Sequence, residues 1–140
     1  MIRFTTYLIL AVAGFCGLVA AVALAGYLLA APARAEPRLI VCESPGLIDG
    51  DTMVCAGERV RLWGIQAPER ADPGGPAATR ALAEITKGQT VICIARGRSY
   101  ERVVAQCFVG DMDVAGEMVR RGQAVDWPKF SRGHYAGIGR

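Results

Sequence analysis

Between Arg38 and Trp63 the chain carries two tight-turn signals, Asp49-Gly50-Asp51 and Ala56-Gly57, which leave room only for short strands. The segments they separate, residues 38–48, 53–55 and 59–63, are rich in Val, Leu, Ile and Cys and read as a β-meander. Residues 67–75 hold two prolines and two glycines and read as a loop. Residues 76–87 then set Ala78, Ala81, Leu82 and Ile85 on one face, with Pro76 in the first turn and Gly88 as the stop, the pattern of an amphipathic helix. Residues 90–95 and 103–109 are two further strands about a polar, arginine-rich hairpin turn, Arg98-Ser99-Tyr100-Glu101, and residues 114–121 form a short helix ended by Gly122. Five short strands with a helix between the third and fourth predict a mainly β fold with two to three short helices, a small closed barrel of the OB type.

The first 35 residues read as an address. Arg3 supplies a positive start, an uncharged and mostly apolar run covers residues 4–31, and Ala33-Arg34-Ala35 has the A-x-A pattern of a cleavage site. The run exceeds the ~7–15 residues of an ordinary signal and reaches the ~20 that span a bilayer. The segment is therefore either a cleaved export signal, giving a periplasmic or secreted protein, or an uncleaved membrane anchor. Residues 36–140 are the domain, long enough for one modest core. Cys42, Cys55, Cys93 and Cys107 then lie in an oxidising compartment, where an even count points to two disulfides. Cys93 and Cys107 sit roughly symmetrically about the hairpin turn, which favours Cys93–Cys107 and, with it, Cys42–Cys55. A zinc site is disfavoured by the lack of a C-x2-C pair and by a single histidine, His134. Without Arg3 and Arg34, 14 basic residues face 13 acidic ones from Glu36 onward. Any anion site is therefore local.

Hydrolysing a phosphodiester needs positive charge on the phosphate, a base or orienting group for water, and donors for the charge that develops on the phosphoryl oxygens. Asp51, at a sharp turn, can project a carboxylate toward a hard cation such as Ca2+. Glu69, after Pro68, is a candidate base, and Arg61 and Arg102, on separate strands, can clamp phosphate oxygens with guanidinium forks. Taken singly, each residue is as well explained by a turn, a loop or a solvated strand; it is their joint order that carries weight.

The order I-D-G-D-T, R-L-W-G-I-x-A-P-E, S-Y-E-R-V-V-A, M-V-R-R-G-Q-A resembles the staphylococcal nuclease-like (thermonuclease) family over residues 42–131. The resemblance implies an OB barrel with packed helices and Ca2+-dependent hydrolysis of DNA or RNA by a monomer. It implies catalytic roles for Arg61, Glu69 and Arg102, a calcium site at Asp51, Gln66 and Ala67, supporting roles for Asp49 and Thr52, and a nucleotide contact at Tyr100. Three departures stand out. Gln66 replaces a second calcium-binding aspartate, Arg98 and Glu101 alter the usual hairpin, and the chain reaches Arg140 within the expected last helix, leaving a barrel edge partly uncovered. An amide carbonyl still ligates Ca2+ but brings no charge, a loss of about 1–3 kcal/mol where water screens the site. Arg98 adds a cation that can recover phosphate affinity, and Trp127, Phe130 and Tyr135 are candidates for a base-stacking shelf, with core or edge packing the competing role for Trp127. His134 reads as a surface residue. Survival of Asp51, Arg61, Glu69 and Arg102 together favours an enzyme; Gln66 favours a non-catalytic OB module that binds nucleic acid or a protein.

Overall fold

A computed structural model describes residues 36–138. The apolar leader, and the export or anchor expectation that rests on it, lie outside the described residues. Nine short strands and three helices follow in the order β1 (Leu39–Cys42), β2 (Gly46–Leu47), β3 (Thr52–Cys55), β4 (Glu58–Leu62), β5 (Ile65–Gln66), α1 (Gly75–Thr86), β6 (Val91–Ser99), β7 (Arg102–Val109), β8 (Met112–Asp113), α2 (Val114–Arg120), β9 (Val125–Asp126) and α3 (Pro128–Ser131).

The main sheet runs β1-β6-β7-β4-β3-β2, with β8 paired to β7. Its two outer strands, β1 and β2, are consecutive in the chain, so the sheet curls until its path begins and ends on one segment. That segment was expected as a single strand over 38–48; it breaks at Glu43-Ser44-Pro45, where proline cannot donate to a ladder, and its halves pair with β6 and β3. The meander β3–β4, the helix α1 and the hairpin β6–β7 fall where the sequence puts them. The turn at Tyr100-Glu101 is tighter than expected, because β6 continues to Ser99 and pairs with Arg102. The pairs β5–β9 and β7–β8 involve two residues each and leave too little periodicity to be read beforehand.

Inside the curl, Met53, Val60, Leu62, Val91, Val103 and Ala105 meet the face of α1 formed by Ala78, Ala81, Leu82 and Ile85, together with Val114 and Met118 of α2. Two glycines make this closeness possible. A Cβ on Gly50 would lie 2.5 Å from the Ala78 Cβ, and one on Gly75 would lie 1.9 Å from the Glu69 carbonyl oxygen. The turn that bears Asp51 thereby presses onto α1, and the loop bearing Glu69 folds back against the start of the same helix. Both predicted disulfides are present: Cys42–Cys55 ties β1 to β3, and Cys93–Cys107 ties β6 to β7.

The C-terminal segment departs from the long final helix that the resemblance implies. After the short α3, Arg132, Gly133 and Gly137 take positive φ and the chain continues in turns. It still covers the core, because Tyr135 is 1% exposed and donates its hydroxyl to Asp113 at 3.0 Å. Asp113 also accepts the Ala115 and Gly116 amides and so caps α2. Burial first, then the Asp113 charge and the hydrogen bond to it, raise the Tyr135 phenol well above its usual value. The unfolded chain releases that proton near pH ~10 while the folded protein holds it, so the stabilisation is complete below pH ~10 and declines by about 1.4 kcal/mol per pH unit above it. Urea unfolding at about pH 9 and pH 11 should therefore show an alkaline loss that Tyr135→Phe reduces; equal losses in both proteins would mean that Tyr135 is not the linked group.

Candidate functional site

The chemistry gathers where the Asp49–Asp51 turn, β4, the 67–75 loop and the β6–β7 hairpin converge. Asp49 accepts the Asp51 amide at 3.0 Å and Thr52 donates its hydroxyl to Asp51 Oδ1 at 2.9 Å, so both flanking residues hold the turn in which Asp51 sits. Asp51 Oδ2 accepts the Ala67 amide at 3.1 Å, which docks the start of the loop onto the turn. The Asp51 carboxylate also forms a buried ion pair with Arg61. Arg61 in turn donates to the Ile65 carbonyl at 3.2 Å and lies 5.4 Å from the centroid of the Trp127 ring. Its guanidinium is thus pinned on three sides. A pinned cation pays little reorganisation when a phosphate arrives.

An open cleft of about 410 Å³ brings together Arg61, Glu69 and Arg102, with Gln66, Tyr100 and Trp127 also on its wall. Glu69 is exposed and Arg102 half-buried. Trp127 packs edge-on against Phe130, ring centroids 4.5 Å apart, and Lys129 lies 5.6 Å from the Phe130 ring. Phe130 and Lys129 line the same cleft. Tyr135 does not join this shelf: it turns into the core, where its ring meets Trp63 and its hydroxyl finds Asp113. His134 is exposed and lies against Trp63, the rings tilted by 56° with centroids 5.4 Å apart. Arg98 is exposed on β6 and is not among the cleft residues, whereas Ser99, one position along, is. Lys129, one of two lysines in the chain, had no signal in the sequence that set it in the cleft. Asp113, the residue before an apolar helical run, carried a legible N-cap signal.

The residues at the implied calcium position do not form a cage for a tightly held cation. Both Asp51 oxygens already accept hydrogen bonds, one of them also faces Arg61, and the Gln66 side chain is neutral and exposed. Ala67 turns its amide toward Asp51. Among the described residues no cluster of three His, Cys, Asp or Glu side chains is placed to hold a metal. A divalent ion here would have to displace Arg61 from Asp51 and would meet one anionic partner rather than two.

A curled, mainly β domain that presents two arginines and a glutamate in one open cleft belongs with the small nuclease-type β domains. The chain is a member of the staphylococcal nuclease homologue family, which it matches over residues 59–136. It is 35% identical over 115 residues to the succinoglycan biosynthesis protein ExoI of Rhizobium meliloti, a match covering 73% of this chain and 59% of the relative. It is 27% identical over 96 residues to an uncharacterized endonuclease of Haemophilus influenzae, covering 64% of this chain and 54% of the relative. The chain thus spans between half and two thirds of the length of these relatives.

Proposed function

We propose that the protein is an exported, monomeric nuclease with an OB-type barrel that hydrolyses phosphodiester bonds of DNA or RNA. The observation that carries this reading is the convergence of Arg61, Glu69 and Arg102 on one cleft beside an aromatic shelf. A phosphate seated there meets guanidinium donors from β4 and β7, and a base stacks on Trp127 and Phe130. Glu69, from the docked loop, orients or deprotonates the attacking water. Arg61 and Arg102 neutralise charge that grows on the phosphoryl oxygens as the bond breaks. Family resemblance supports Ca2+ assistance, and the donor set around Asp51 supports only a weak form of it. The two disulfides support the export reading.

Degradation of plasmid DNA and RNA by the oxidised protein, with Ca2+ titrated against chelator, tests this function. Cleavage of either polymer supports it, and intact polymers at saturating Ca2+ refute it. Gln66→Asp should raise Ca2+ affinity and activity at limiting metal, because it adds an anionic oxygen next to the Ala67–Asp51 contact. Calorimetry and rates that stay flat or fall would show that the metal position is misplaced. The neutral Gln66 and the engaged Asp51 favour a second reading, a non-catalytic module that binds nucleic acid through the same cleft. That module would retain oligonucleotides without cutting them.

A further inference from the structure

A second groove, of about 500 Å³, adjoins the β6–β7 hairpin tip and is lined by Asp49, Thr52, Arg59, Tyr100, Glu101 and Arg102, among others. Tyr100 and Arg102 also line the first cleft, so the two depressions share a wall. The register of the sheet explains why. β4 and β7 run parallel with Val60 opposite Val103, which sets Arg59 beside Arg102 at the start of the paired stretch. Arg59 and Arg61 are two positions apart on β4, so they share one face of the strand about 6–7 Å apart along it. Three arginines therefore stand at one corner of the sheet, with Arg102 between the two depressions.

The states of these groups differ in a way that suits a ligand. Arg61 is buried and tied to Asp51, whereas Arg59 is exposed and enters none of the ion pairs among the described residues. Asp49 faces the same groove but is only 9% exposed and spends a carboxylate oxygen on the Asp51 amide. Tyr100 is 94% exposed at φ 54°, a left-handed conformation that a tyrosine adopts at a cost and that holds its ring at the crest of the hairpin. An exposed aromatic flanked by unpaired cations is the arrangement that tracks a single nucleic-acid strand.

We infer that a single strand bound in the catalytic cleft continues over Tyr100 and Arg102 into this second groove, where Arg59 holds a neighbouring phosphate and Glu101 opposes it. This rests on the nucleic-acid reading proposed above and deepens it: the protein selects polymer over short fragments through Arg59. Glu101, exposed on the turn between Tyr100 and Arg102, places a negative charge on the track and limits how tightly the strand is held.

The test uses the full chain carrying Glu69→Gln, which is expected to slow cleavage by about 100-fold or more, and fluorescence anisotropy with labelled oligothymidylates of two and twelve nucleotides. Arg59→Ala is expected to weaken the twelve-mer about 5-fold to 10-fold and to reduce the slope of log affinity against log salt by about 0.7, the share of one phosphate on a single strand. Its dinucleotide affinity should not change. Glu101→Gln is expected to tighten the twelve-mer. An Arg59→Ala protein with unchanged twelve-mer affinity and salt slope, or with equal losses on both ligands, overturns the inference while leaving the cleft reading intact. Without the Glu69 change, a protein that binds the twelve-mer and never cuts it refutes the nuclease and leaves the track standing. Absence of any binding overturns both.

Discussion

Arg102→Ala is expected to lower phosphodiester turnover by about 100-fold or more with little change in the unfolding midpoint, and Glu69→Gln to do the same. Arg102 is the informative arginine. It is half-buried and makes no ion pair among the described residues, so removing it subtracts a donor from the cleft without orphaning a buried charge. Arg61→Ala, by contrast, would strand the Asp51 carboxylate, which is 3% exposed, and should cost about 3–5 kcal/mol of stability before any effect on chemistry is read. Glu69 is exposed on a loop, so its amide variant keeps the fold. Steady-state rates on a defined oligonucleotide, with thermal unfolding alongside, check both variants. A fall in kcat at constant KM marks groups that act in the transition state. Rates near wild type in either variant would favour the binding module.

Loss of the Cys42–Cys55 bond is the second large effect, expected at about 3 kcal/mol and larger than the loss of Cys93–Cys107. The two bonds close loops of nearly equal length, with sequence separations of 13 and 14, so chain entropy alone predicts nearly equal values. Their surroundings differ. Cys93 and Cys107 are direct partners in the β6–β7 hairpin, whose ladder from Val91 to Ser99 holds the two strands together without the bond. Cys42 and Cys55 join β1 to β3, which are not hydrogen-bonded neighbours in the sheet. Within the loop it closes, that bond is backed only by the two-residue β2–β3 pairing, against eight paired positions along β6–β7. Paired Cys→Ser variants, compared by urea unfolding, give the ranking; a larger loss for Cys93–Cys107 would contradict it.

Legibility of the fold tracked the range of the interaction concerned. The face of α1 followed from Ala78, Ala81, Leu82 and Ile85 at helical spacing, and both cysteine pairs followed from hairpin symmetry and a count of four. Each is a property of neighbouring residues or of simple exclusion. The split of the first strand at Glu43-Ser44-Pro45 has a local signal, since Ser, Pro and Gly in succession mark a turn, but nothing local says that the two halves pair with different strands. Sequence alone groups Tyr135 with the shelf, because an aromatic near Trp127 carries no sign of which way its ring turns. Asp113, 22 residues earlier, and Trp63, far earlier still, decide that.

For the candidate site, sequence alone established which chemistry is on offer: Asp51 at a glycine turn, arginines at 61 and 102, a glutamate after Pro68, and a glutamine where an aspartate was expected. Those are matters of residue type, turn propensity and order. Tertiary structure alone decided how these groups are used. The curl of the sheet brings β4 beside β7 in parallel, which no short-range pattern encodes, and so sets Arg59, Arg61 and Arg102 at one corner. Close packing at Gly50 sets the Asp51 turn against Ala67, and Asp51 there meets Arg61 and the loop amide. A buried carboxylate takes the nearest donors that its packing supplies, and those donors become known only when strands distant in sequence are brought together.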